Sequence, residues 1–389
     1  MRIVSSAAAK ILAAGLIILS ALPAFAGQNV TIGIAANFSA MSDSTSNPYA
    51  NYFRDAIEMA FDENKALLAS KGISVKLKEF DYGDDKLKVI ETANSAVKSD
   101  ALAVLGYIYS SDALLAGPIL NKNGLLLLSP TATADRLETI GRYVRRTCFN
   151  DSYQGKILAD YAWKTQKARN VGIIYAADCA YCNSLRTAFK ERFESLGGKI
   201  IVEQTVLSND TDFTEAVSAF KGKPLDAIFV PNYERVAATI ISQLLDAGIR
   251  PRIWLGGDGW GDSVDLFYRI VGARKFTAYA ISHWHAQIRT PQSKAFIVEF
   301  VRRYGKPPVD TAVLAYDAAR LLIQGLITAK KLDRAAVMDS VEQIQTFEGV
   351  TGRMVYPPHG RTPIKPAVLL RLENGNNNRH SNVERIIGG

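Results

Sequence analysis

The stretch Leu102-Ala103-Val104-Leu105-Gly106-Tyr107-Ile108-Tyr109-Ser110-Ser111-Asp112 decides how the chain is read. An apolar, strand-like run at 103–105 stops in rings and hydroxyls, and a helix-like stretch at 112–121 follows at once. Five other places have the same form: Ala35-Ala36-Asn37, Ser129-Pro130-Thr131-Ala132-Thr133, Ala176-Ala177-Asp178-Cys179-Ala180-Tyr181, Pro231-Asn232-Tyr233-Glu234 and Gly256-Gly257-Asp258-Gly259-Trp260. Loops and helix N-termini converge at the carboxyl ends of strands in open α/β sheets, so ligands collect there. Three tips fall in each half of the chain, which implies two lobes facing one ligand.

Working outward, strand and helix alternate with little interruption, the pattern of a parallel sheet covered on both faces. The first half has strands at 30–35, 75–80, 103–105 and 125–128 and helices at 52–68, 86–97 and 112–121. The second half repeats the scheme with strands at 171–175, 199–206, 227–230 and 253–255 and helices at 154–164, 183–196, 213–220 and 235–247. In the first helix Phe53, Ile57, Ala60, Phe61 and Leu67 recur at three- and four-residue steps, as an amphipathic face requires. Beyond Tyr279, helices at 291–304, 311–329 and 334–344 add cover to one lobe. Residues 349–356 with 367–372 read as a closing hairpin, and 374–382 as a polar loop. The fold class is α/β, with two doubly wound parallel-sheet lobes.

The first 26 residues have the form of a secretory leader: Arg2 and Lys10, an apolar run from Ile11 to Leu22, and a small-x-small site at Ala24-Phe25-Ala26. Cleavage there starts the mature chain at Gly27, which is not a cysteine to be lipidated, and the expected address is the periplasm. The remaining length exceeds a usual single core and favours two domains. The net charge of +8 is dispersed in pairs such as Arg145-Arg146, Arg302-Arg303 and Lys330-Lys331, so no nucleic-acid partner is expected.

There are three cysteines. Cys179 and Cys182 form a CxxC between a strand and a helix, and an oxidising compartment makes a structural disulfide around Tyr181 the first reading. A redox pair stays open, because a helix N-terminus lowers a thiol pKa. A metal or free thiols are the remaining alternatives. Cys148 reads as a buried, inert thiol.

Ser110-Ser111-Asp112 stands where a strand hands over to a helix. Ser110 is either an N-cap or, with the first free N–H groups, a grip for a ligand carboxylate. Thr131 and Thr133 lie at a neighbouring tip. Asp258 sits among Gly256, Gly257, Gly259 and Gly261, either as a turn residue or as a carboxylate aimed at a ligand ammonium with the backbone in close approach. Tyr107, Tyr109, Tyr181, Tyr233 and Trp260 suit the walls of a small-molecule pocket or the packing between lobes. His283-Trp284-His285 lacks a third ligand, so no metal and no cofactor is expected. The GxSxG, GxxxxGK[ST] and HExxH patterns are absent, and the glycines around Asp258 do not complete GxGxxG, because Asp262 holds its last position.

With those residues in hand, the chain resembles the type I periplasmic binding proteins, in the leucine/isoleucine/valine-binding branch of ABC-importer receptors. The resemblance rests on 106–111, Ser129-Pro130-Thr131-Ala132-Thr133-Ala134, 146–155 with Asp151 and Gln154-Gly155, and 232–234. It implies a Venus-flytrap with a three-strand hinge near residues 150, 281 and 358: lobe one at 27–150 with 282–357, lobe two at 151–281 with 358–389. It further implies that Ser110 and Thr133, with the Thr131 backbone, bind a carboxylate, and that Tyr181, Tyr233 and Asp258 contact an amino acid. The family usually has Glu in place of Asp258 and small residues in place of Tyr109 and Thr131. The first loop departs too, carrying Asn47-Pro48-Tyr49, and Tyr49 joins the candidate ligand-binding residues. The expected function is a monomeric, non-enzymatic receptor that closes on an amino acid or related small acid, with the rings hinting at a bulky or aromatic one, and delivers it to a membrane permease. A sensory subunit serving a receptor kinase or chemoreceptor, and a thiol oxidoreductase built on Cys179 and Cys182, are the alternatives.

Overall fold

The computed structural model describes residues 27–39, 41–42, 45–46, 48–260, 264–375 and 378–388. The leader at 1–26, Asn47, and Gly261 and Asp262 lie outside the described residues.

The first sheet has five parallel strands in the order Ile73–Asp81, Gln28–Ala36, Ala101–Leu105, Leu126–Ser129, Val144–Arg146. Successive side chains of a strand point to opposite faces, and the two faces build different cores. Ile32, Ile34, Leu105, Leu126 and Leu128 face helices Pro48–Glu63, Pro291–Tyr304 and Asp310–Thr328. Ala35, Val104, Leu125 and Leu127 face Lys86–Lys98 and Ser110–Lys122.

The second sheet has seven strands in the order Asn378–Ile387, Ala367–Gly375, Phe276–Ser282, Ile253–Gly256, Ala227–Phe229, Asn170–Ala176, Lys199–Val206. The last five are parallel, and the other two are antiparallel additions at one edge. Its core is the largest in the molecule, running from Phe149 through Trp254 and Trp260 to Leu372.

Connectivity between the sheets sets the geometry of the site. The chain leaves the first sheet after Val144–Arg146 and enters helix Asp151–Asp160, whose Leu158 and Ala159 belong to the second core. It returns after Phe276–Ser282, since Phe296 and Phe300 of the next helix pack in the first core. It crosses again between Tyr356 of the first core and Ala367 of the second. These crossings are pinned to one another: Arg146 N–H donates to Arg361 O at 3.0 Å, and Tyr356 OH donates to Arg146 O at 2.8 Å. Ser282 Oγ and His283 N–H both donate to Asp310 Oδ2, at 2.6 and 3.0 Å.

Several expected elements change. The long first helix is two helices, Pro48–Glu63 and Lys65–Ser70, broken at Asn64, whose side-chain amide bonds back to Ala60 O at 2.8 Å. The helix at 213–220 shrinks to Thr214–Ser218. Strands Val144–Arg146 and Phe276–Ser282 were not anticipated, the first being short and basic. The expected hairpin is wrong in its partners: Thr346–Gly349 pairs with Gly352–Val355, while Ala367–Gly375 pairs with Phe276–Ser282 and with Asn378–Ile387. Residues 374–375 and 378–382 of that expected loop thus pair in an antiparallel ribbon at the edge of the sheet.

One tip shows how the sheet aims side chains at the cleft. Asn232 is fully buried, accepts Ala176 N–H at 2.8 Å through Oδ1 and donates from Nδ2 to Ile174 O at 3.0 Å. It ties the tip of Ala227–Phe229 to its neighbouring strand and so fixes Tyr233, which precedes helix Glu234–Asp246. Replacing Asn232 by Ala leaves a buried donor and a buried acceptor unpaired, with an expected loss of about 2–4 kcal/mol, read as a lower urea midpoint.

Candidate functional site

The six tips all lie at the carboxyl ends of their strands, and the lobes meet there. Tyr49 OH, from the start of the first helix, donates to Glu234 in lobe two at 2.7 Å. Ala180 N–H donates to Ser111 Oγ at 3.1 Å, and Asp135 N–H donates to Ser184 Oγ at 3.1 Å. The rings of Tyr109 and Tyr233 stand edge to face, centroids 5.0 Å apart and planes at 79°.

Between these bridges lies a cavity of about 50 Å³. Tyr49, Ile108, Tyr109, Thr131 and Thr133 line it from one side. Tyr181, Tyr233, Glu234, Asp258 and Gly259 line it from the other. His283 on a crossing segment, with Asp310, Thr311 and Leu314 at the start of their helix, complete the wall.

Asp258 is braced in this wall from two sides. Gln154 Nε2 donates to its Oδ1 at 2.7 Å, Gln154 Oε1 accepts its backbone N–H at 3.1 Å, and His283 Nε2 meets its Oδ2 at 3.2 Å. Gln154 Nε2 also reaches Asp151 Oδ1 at 2.8 Å. Burial, and then the Asp258 charge, pushes the Asp151 carboxyl well above the ordinary carboxylate range, with the Ser184 and Thr133 hydroxyls opposing. Raising the Asp151 pKa lessens the cost of two neighbouring acids in this part of the cleft.

His283 stacks on Phe149 with ring centroids 3.7 Å apart, and burial lowers its pKa from 6.5 to about 4 against the pull of Asp258. A neutral ring facing a carboxylate carries its hydrogen on Nε2. Nδ1 is then an acceptor, and it has no hydrogen-bond partner among the described residues.

Tyr181 lies inside the CxxC, and Cys179 is disulfide-bonded to Cys182. The cross-link clamps the first turn of helix Ala180–Ser195 and holds Tyr181 so that its OH accepts Gly259 N–H at 3.0 Å while its ring leans on Tyr233 at 5.0 Å. Both cysteines are buried, which withholds the sulfurs from an attacking thiolate. Metal binding and free thiols at this pair are set aside by the bond itself. Cys148 is a free, fully buried thiol whose pKa burial pushes up to about 12.

Other expectations change at the site. The Ser110 side chain does not line the cavity; it is buried, and its Oγ accepts Ala134 N–H at 3.2 Å. Thr131 Oγ1 donates to Ile108 O at 2.7 Å, bracing one tip against the next. Gly257 and Gly259 do permit close approach, but of Tyr181, whose side chain a Cβ at either position would strike; Gly256 likewise receives the Trp260 ring. Tyr107 and Trp260 are core residues, Tyr107 against Tyr82 at 5.1 Å and Trp260 donating from Nε1 to Val230 O at 3.1 Å. Glu234, His283, Asp310 and Thr311 were not among the candidates. Glu234 belonged to a quoted tip, but Asp310 and Thr311 reach the cleft from a helix that the sequence attaches only to an outer layer.

The family model for periplasmic binding proteins matches residues 29–377. Among curated proteins, the chain is 25% identical to the Leu/Ile/Val-binding protein BraC3 of Rhizobium johnstonii, over 94% of this chain and 98% of that one. It is 26% identical to the Leu/Ile/Val-binding protein homolog 3 of Brucella melitensis, over 75% and 78%. Among solved structures, the leucine-binding protein LivK of Thermotoga maritima aligns with a TM-score of 0.82 and 25% identity, covering 92% of this chain and 99% of that one. The substrate-binding protein LivJ of Streptococcus pneumoniae, solved with isoleucine, aligns with a TM-score of 0.80 and 26% identity, covering 93% and 99%.

The chain is a type I periplasmic binding protein. Within that class it belongs to the branched-chain amino acid family of ABC-transporter substrate-binding proteins, a family of non-enzymatic solute binders. Among the described residues no helix is long and apolar enough to cross a membrane.

The histidine generates a pH signature. Between pH 6.5 and about 4 the unfolded chain protonates His283 and the native state does not, so the unfolded state binds more protons and this residue's contribution to stability falls as pH is lowered. Asp151 works in the opposite direction, since burial makes its native carboxyl take up a proton at higher pH than the unfolded one does. Comparing wild type with His283→Asn across that window by urea denaturation isolates the histidine, and the expected difference in the pH-dependent loss is roughly 3 kcal/mol.

Proposed function

We propose that this protein is the soluble receptor of an ABC importer: exported with removal of residues 1–26, monomeric in the periplasm, and closing two lobes on a small amine-bearing solute that it passes to a membrane permease. An α-amino acid is the simplest such solute. The observation that carries the reading is one cavity whose walls come from strand tips of both sheets and from a crossing segment. Names of relatives near 25% identity that include leucine, isoleucine and valine support an amino-acid-like ligand.

In this reading the lobes are 27–150 with 282–357, and 151–281 with 358–389, turning about the three crossings. Closure is a population shift, and only a ligand touching both lobes favours the closed state. Asp258 takes the ammonium, with Tyr181 and Tyr233 as walls. Tyr109, Thr131, Thr133 and Tyr49 form the opposing jaw, and Ser110 acts through the backbone by holding Ala134. The rings occupy space that a bulky ligand would need: a water-sized group takes about 10–15 Å³ of such volume, so a cavity of about 50 Å³ favours a small solute.

The experiment is a thermal-shift screen over amino acids and amines followed by calorimetry and small-angle scattering. A solute at 100 times its Kd raises stability by about 2.7 kcal/mol, and compaction of the scattering profile on binding is the expected result. Binding without compaction, or the absence of any bound solute, contradicts the receptor reading. For the solute found, Asp258→Ala is expected to weaken binding by about 2–5 kcal/mol; unchanged affinity removes Asp258 from the site.

A further inference from the structure

The charge inventory of the cavity goes beyond an amino-acid pocket. A zwitterion needs hydrogen-bond donors for its carboxylate as well as acceptors for its ammonium. Glu234, Asp258 and Asp310 all line the cavity, and among the described lining residues none is lysine or arginine. Several neighbouring donors of lobe one are already engaged. The Thr131 hydroxyl is given to Ile108 O, Ala134 N–H to Ser110 Oγ, and Ala132 N–H to Ser129 Oγ. The Tyr49 hydroxyl is given to Glu234. His283 Nδ1 adds a buried acceptor without a partner among the described residues. The buried cation Lys365 does not line the cavity and donates from Nζ to Thr351 Oγ1 at 2.5 Å.

The aromatic walls favour the same sign of charge. Tyr109 and Tyr233 form a corner at 79°, and Tyr181 continues it at 5.0 Å from Tyr233. Ring faces are negative, so such a corner attracts an ammonium and repels a carboxylate.

The geometry points to a ligand of net positive charge, a small organic ammonium whose charge is not balanced by a carboxylate of its own, held between the Tyr109–Tyr233–Tyr181 rings and the carboxylates of Glu234, Asp258 and Asp310. This inference rests on the receptor reading above. It narrows the solute from amino acids in general to simple amines or amino acids with a second amine. Neutral amino acids become weak ligands, because their carboxylate faces acids and ring faces.

Calorimetry on the full mature chain tests the sign of the charge with a size-matched series: 1,4-diaminobutane, 4-aminobutanoate and butanedioate, with lysine and leucine as the α-amino-acid pair. The expected result is binding by diaminobutane or lysine at least roughly tenfold tighter than by the neutral and anionic members, weakening as salt rises. Which of the two binds separates a simple amine from a diamino acid. Glu234→Gln, which keeps an oxygen for the Tyr49 hydroxyl, is expected to weaken the cation by about tenfold with an unchanged melting temperature in the absence of solute. Tightest binding by leucine, 4-aminobutanoate or butanedioate overturns the inference and leaves the receptor reading intact. Equal cation binding by wild type and Glu234→Gln overturns the assigned cage. Failure of every probe to bind or compact the protein overturns both.

Discussion

The site depends on how one carboxylate is held. Asp258 reaches the cavity from the tip of Ile253–Gly256, yet its braces come from elsewhere: Gln154 from the helix that follows the first crossing, and His283 from the second crossing. A charge in a low-dielectric cleft persists only when its hydrogen bonds are satisfied, and those bonds couple the cavity to the segments that cross between the two sheets. Asp310 extends the same logic to lobe one by accepting Ser282 and the His283 backbone. A polar chain thus runs from Asp151 through Gln154, Asp258 and His283 to Asp310 along the floor of the cleft.

Much of this was readable in the residues. Fully buried parallel strands are apolar runs with abrupt polar ends, so the interior strands followed by a helix, and their tips, announced themselves. Strands with another environment did not. Val144–Arg146 is basic because it borders the crossings, and Asn378–Ile387 is polar because it lies at an edge. Phe276–Ser282 lies in the interior of its sheet and passes directly into a crossing, with no helix after it to mark a strand–helix unit.

The candidate residues divide in the same way. At the strand tips Tyr109, Thr131, Thr133, Tyr181, Tyr233 and Asp258 line the cavity, whereas Tyr107 and Trp260 turn into the cores. Ser110 does not line it either, because local sequence cannot tell whether a hydroxyl beside a helix start serves a ligand or a neighbouring backbone N–H, and here it serves Ala134. Asp310, Thr311 and His283 depend on how the crossings fold back over the first sheet, a long-range property that no local spacing carries. The CxxC gave a definite spacing but an open chemistry, and only the bond between buried sulfurs decides it.

A crystal structure of the mature chain grown with its tightest calorimetric ligand tests the central claim most directly. The account predicts one ordered solute with its nitrogen within hydrogen-bonding distance of Asp258, in contact with Tyr109 or Thr133 on one side and Tyr233 or Tyr181 on the other. A solute bound to one lobe alone, or outside the cleft with Asp258 still paired only to Gln154 and His283, would contradict it.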